Sequence, residues 1–157
     1  AREIFGRGAQ GYGVLMSAAG VGAVLGSLYS ASHRVGTHKG AAITAGSLTF
    51  PFLLLPFAFC RSYTVSILLL VGVGFAFVLQ NAPANSLLQE LVPDDLRGRV
   101  MAIYVSLFLG LLRVGSLLLG GLAEWTSAPV AIAILAVAGL LVGLEVRFRY
   151  PELCRAR

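Results

Sequence analysis

The side chains able to do chemistry are few and unevenly placed. The densest group lies in Leu87–Tyr104, LLQELVPDDLRGRVMAIY, where Glu90, Asp94, Asp95, Arg97 and Arg99 surround Pro93 and Gly98 between two long apolar runs. Just ahead, QNAPANSLLQ sets Asn81 and Asn85 four residues apart, hence on one helix face, beside Gln80 and with Pro83 between them. Arg113 stands alone, about midway along a later apolar run. Amides and a guanidinium in such places bind polar solutes or join helices. Nothing resembles H-E-x-x-H, G-x-S-x-G, a Ser/His/Asp set or paired Asp residues within an apolar run, so the sequence does not read as an enzyme. His33, His38, Cys60 and Cys154 lack metal-ligand spacing, and neither a metal nor a cofactor is expected.

The elements that position these residues follow from composition. Of 157 residues, 57% are hydrophobic and only 12% charged, about half the charged fraction of an ordinary soluble domain, roughly 25%. Five apolar stretches, Gly11–Ala31, Gly40–Phe59, Thr64–Leu88, Val100–Ala123 and Pro129–Val146, are each near the roughly 20 residues an α-helix needs to cross ~30 Å of hydrocarbon. Stretches such as Ser66–Val78 and Val130–Val142 offer no polar helix face, which argues against a soluble bundle, and the runs do not alternate as barrel strands would. The expected fold is all-α, a polytopic bundle of five transmembrane helices. It comprises an outer loop at residues 1–10, a membrane domain at 11–148 and a cytoplasmic tail at 149–157.

Polar groups gain their meaning from this setting. Gln80, Asn81 and Asn85 need partners in the protein or a water-filled cavity. A charge at the depth of Arg113 costs roughly 2.5–3.5 kcal/mol, so it is expected to face protein, water or an anionic solute. No Asp or Glu lies within the hydrocarbon part of any span. In the first span Gly22 and Gly26 have GxxxG spacing beside Ala18, Ala19 and Ala23, a face suited to close helix packing. Pro51 and Pro56 should kink the second span or end it early. Pro93 should end the third, and Asp94 or Asp95 should cap the fourth.

Charge gives an orientation. Five spans leave three Lys or Arg on the side of Arg2, Arg7 and Arg61 and eight on the side of Arg34, Lys39, Arg97, Arg99 and the tail. The positive-inside rule then puts the N-terminus outside and the C-terminus in the cytoplasm. The net charge of +5 is accounted for by these ends and calls for no nucleic acid. No signal peptide is visible, and a first residue of Ala suggests a fragment.

Three stretches carry a resemblance: GYGVLMSAAGVGAVLGSL at Gly11–Leu28, NSLLQELVPDDLRGRVMAIY at Asn85–Tyr104 and GSLLLGGLAE at Gly115–Glu124. With their spacing they resemble the major facilitator superfamily, in particular bacterial exporters similar to the enterobactin exporter. The P-x-x-x-R-G-R turn is similar to that family's loop between its tenth and eleventh helices. The resemblance implies helices eight to twelve of a twelve-helix exporter in the bacterial inner membrane, with the N-terminal half missing. It implies proton-driven export of a small organic molecule, drug-like or siderophore-like. Gln80, Asn81, Asn85 and Arg113 would then line the solute path, and Asp94, Asp95, Arg97, Gly98 and Arg99 would form a cytoplasmic latch. A non-transporting membrane scaffold is the alternative, with lipid as partner in either case.

Overall fold

The structure, a computed structural model, describes residues 8–32 and 39–149. It contains five helices: α1 (Ala9–Ser32), α2 (Lys39–Phe59), α3 (Tyr63–Leu91), α4 (Arg97–Trp125) and α5 (Ala128–Arg149). All five are long and apolar enough to cross a membrane, and no strand occurs among the described residues. The basic turn with His33, Arg34, Gly36 and His38, and the end of the chain with Cys154, lie outside the described residues.

Large side chains cannot hold such helices together by escaping water, because lipid tails are as apolar as leucine. Association depends on how closely backbones approach, and the glycines mark where they do. A Cβ on Gly74 of α3 would sit 2.0 Å from the Ala19 carbonyl oxygen of α1, and one on Gly22 would sit 1.9 Å from that of Val71. The two helices thus cross backbone to backbone, each lending its missing side chain to the other. Gly26 continues the contact at Phe75, so the GxxxG face of the first span is the face that packs on α3. Leu15, Ala18 and Leu70 are buried beside the crossing, with Phe57 and Ile67 packed against them. The Tyr63 hydroxyl donates to the Gly11 carbonyl at 3.0 Å, so α1 and α3 run parallel with their first turns tied together.

α2 and α3 form an antiparallel pair across the short turn at Cys60–Ser62. Gly46 of α2 lies against the backbone of Gln80, where a Cβ would approach within 2.7 Å. Pro51 and Pro56 do not end α2, which runs unbroken to Phe59. A proline removes one backbone donor and frees the carbonyl four residues earlier, a defect that neighbouring helices and hydroxyl side chains can absorb. The carbonyl freed by Pro51 is that of Ser47. It lies 3.4 Å from where a Cβ of Gly143 would be, so the glycine lets α5 close on the defect. Gly139 meets Pro51 in the same way, and the pairing of 51 with 139 and of 47 with 143 makes α2 and α5 antiparallel.

α4 is held least. None of its residues is buried, and its principal packing is on α5. Six of its half-buried residues, Met101, Tyr104, Phe108, Gly115, Leu119 and Leu122, make one stripe at helical spacing.

The crossing yields a prediction. Gly74→Leu should destabilise the bundle by about 1–3 kcal/mol or more, whereas Gly13→Ala, with open space around it, should stay within about 0.5 kcal/mol. Thermal melting of the two variants in detergent checks this, and equal melting temperatures would contradict it.

Candidate functional site

Most polar side chains that the structure brings together stand at the end of the bundle carrying the α3–α4 turn. Lys39 opens α2, is only 6% exposed, and its ammonium donates to the Ser86 hydroxyl at 3.1 Å and pairs with the Glu90 carboxylate. Burying an ammonium is costly unless acceptors replace its water. Here α3 supplies two from consecutive turns. The burial is one-sided, since the Glu90 side chain remains mostly exposed, so Glu90 keeps its hydration while Lys39 depends on the contact.

Glu90 and Ser86 also line an open cavity of about 540 Å³ with Ala82, Asn85, Gln89 and Arg97. The Gln89 side-chain amide donates to Asn85 Oδ1 at 2.8 Å, fixing an amide ladder along this wall. Arg97 closes the cavity from the start of α4. Its Nε donates to the Gln89 carbonyl at 3.1 Å and its Nη2 pairs with Asp94 at 2.5 Å. The last carbonyls of a helix lack partners within it, and Arg97 satisfies one of those at the end of α3. The pair of Arg97 and Asp94 is well exposed and contributes little to stability, about 0–1 kcal/mol; its effect is to fix the turn.

The capping expectation is corrected. Leu96, not an aspartate, is the cap of α4, and it makes no side-chain cap bond. The Leu96 amide donates back to the Pro93 carbonyl at 3.1 Å, closing a turn that leaves Asp94 three residues before Arg97 and turned towards it. Asp95 and Arg99 are exposed, and nothing lies within 4 Å of a Cβ placed on Gly98.

The four residues expected to line a solute path are not brought together as one wall. Asn85 lines the cavity, while Gln80, Asn81 and Arg113 do not. Gln80 sits at the α2–α3 contact opposite Gly46. The Asn81 amide donates to the Phe77 carbonyl at 2.8 Å, one turn back along its own helix. Pro83, buried between the two asparagines, stays inside an unbroken α3. Arg113 is exposed on α4; Ser116 Oγ donates to its carbonyl at 2.8 Å, and its guanidinium pairs with no carboxylate among the described residues. Among the described residues no His, Cys, Asp and Glu cluster could hold a metal ion.

Sequence reasoning missed the buried contact of Lys39 with Ser86 and Glu90. A signal existed. Two helices joined by a short turn set residues at equal distance from that turn side by side, which places the start of α2 against the polar end of α3.

Five membrane-crossing helices with a polar cavity at one end define a multi-pass membrane protein. The profile of the transmembrane secretion effector family, a major facilitator family of transporters, matches residues 1–155, and the chain belongs to that family. No curated protein and no solved structure gives a significant match.

The one-sided burial predicts an order of effects. Glu90→Gln, which leaves the ammonium without its counter-charge, should cost about 1–3 kcal/mol. Lys39→Met, which removes the buried charge and keeps the stem, should cost less. Melting of both variants in the same detergent checks the order.

Proposed function

We propose that the chain is the C-terminal part of a secondary active transporter that exports a small organic molecule, drug-like or siderophore-like, by alternating access. The observation that carries this reading is the family match over nearly the whole chain, supported by the likeness of the spans to helices eight to twelve of exporters similar to the enterobactin exporter. In such folds the solute sits near the midplane between two groups of helices that rock about it. The missing N-terminal half supplies the second group. Gln80, Asn81, Asn85 and Arg113 belong to the solute path, which is assembled only when that half closes over α3 and α4.

The end carrying Asp94, Asp95, Arg97, Gly98 and Arg99 is cytoplasmic in this reading, as the distribution of Lys and Arg suggests, and the membrane is the bacterial inner membrane. These residues form the latch with Lys39 and Glu90. The exposed Arg97–Asp94 pair suits a contact that opens and re-forms as helices tilt, because neither charge is buried, while the buried Lys39 ammonium, held by Ser86 and Glu90, anchors the latch to α3. Export is proton-driven, and the acid that carries the proton stands on helices outside these five, since no Asp or Glu lies in their hydrocarbon part.

Arg113→Ala in the intact transporter should lower export about tenfold, the effect of losing about 1.4 kcal/mol of solute interaction, with membrane insertion unchanged. Export assays on inside-out vesicles, with the amount of inserted protein as control, test it. Unchanged export in that variant would remove Arg113 from the solute path.

A further inference from the structure

The half-buried stripe of α4 faces α5, and the opposite side of the helix carries three charges, Arg99, Arg113 and Glu124, all exposed. They lie within about 60° of one another around the helix, Arg99 about 21 Å before Arg113 and Glu124 about 16 Å beyond it. None of the three pairs with an opposite charge among the described residues. A guanidinium at mid-depth of a span takes its counter-charge from protein or from what passes it in water. No Asp or Glu lies within the hydrocarbon part of the five spans, so on this side of the path the counter-charge is one that the solute brings.

The cavity at the start of α4 has the same bias. Asn85 Oδ1 accepts from Gln89, which leaves the Asn85 amide hydrogens to donate, and the one carboxylate in the cavity wall, Glu90, is held by the Lys39 ammonium. A cation is recognised by a free carboxylate or an aromatic face. The rings of α3 and α4 are engaged elsewhere. Phe75 and Phe77 pack against Tyr29 of α1 and Phe50 of α2, Tyr104 and Phe108 stack on each other along the stripe facing α5, and Trp125 stands at the far end of α4.

We infer that the transporter selects organic anions, its solute carrying a carboxylate, a sulfonate or an acidic phenol that pairs with Arg113 at mid-depth. This rests on the reading of α3 and α4 as a border of the solute path. In the orientation proposed above, an anion leaving the cytoplasm meets Arg99 and Arg113 in turn and then the Glu124 carboxylate, whose like charge favours its release.

The test gives inside-out vesicles holding the intact transporter three labelled probes built on one ring system: naphthalene-1-sulfonate, naphthalene-1-sulfonamide and 1-naphthyltrimethylammonium. Retention without an energy source reads binding, accumulation with a respiratory substrate reads export, and vesicles without the transporter give the background. The sulfonate should be retained about tenfold more than either of the others, the scale of a hydrogen bond to a charged group. Arg113→Gln should lower sulfonate retention to that of the sulfonamide, and Arg113→Lys should keep most of the preference, which a packing role for Arg113 would not reproduce. Equal retention of the three probes, a preference for the ammonium, or a sulfonate preference that survives Arg113→Gln overturns the inference. Sulfonate retained through Arg113 but not accumulated upholds the anion site and overturns the export reading. Accumulation of the sulfonamide or the ammonium with no preference for the sulfonate upholds export and overturns the anion selectivity.

Discussion

Everything in this bundle hangs on one close approach, the crossing of α1 and α3 at Gly22 and Gly74. In lipid, no escape from water drives helices together, so a contact in which each backbone occupies the other's missing side chain is among the strongest available. From it the packing runs in series. α3 receives α2 at Gly46, α2 receives α5 at Gly139 and Gly143, and α5 carries α4. The packing thins along the series until α4, which has no buried residue at all.

That gradient bears on function. A transporter that alternates between two openings needs one group of helices that stays together and surfaces that part. The α1–α3–α2 unit has the close backbone contacts of the first kind. In the proposed reading the turn carrying Asp94 and Arg97 is of the second kind: that pair is well exposed and opens without leaving two buried charges behind, whereas the buried Lys39 ammonium ties the start of α2 to the end of α3. The cavity walled by Asn85, Ser86, Gln89, Glu90 and Arg97 opens beside it.

The five helices were legible in the sequence because hydrocarbon thickness dictates the length of an apolar run and lipid forbids unpaired backbone. The packing face of the first span was legible too, since small residues at GxxxG spacing have few uses besides close approach. The helix termini at the charged turn were not. Two aspartates before a helix suggest a cap, yet the turn at Pro93 gave that place to Leu96 and directed Asp94 to Arg97. Pro51 and Pro56 lie inside α2 and do not end it, and Gly143 of another helix accommodates the carbonyl that Pro51 frees. The contact of Lys39 with Ser86 and Glu90 went unseen because it depends on the register of two helices. The amides of Gln80, Asn81 and Asn85 look alike in sequence, but one meets another helix, one bonds to its own helix and one lines a cavity.

In the proposed transporter the polar residues of α3 and α4 border a water-accessible solute path. Single cysteines at Asn81, Asn85 and Arg113, in a background with Cys60 and Cys154 replaced by Ser, can be exposed to a membrane-impermeant thiol reagent in inside-out vesicles, with Leu68→Cys, exposed in the apolar part of α3, as the reference. Labelling is expected at all three positions, slowed by an exported solute, and none at Leu68. Equal labelling at all four positions, or none at Asn81, Asn85 and Arg113, would contradict it.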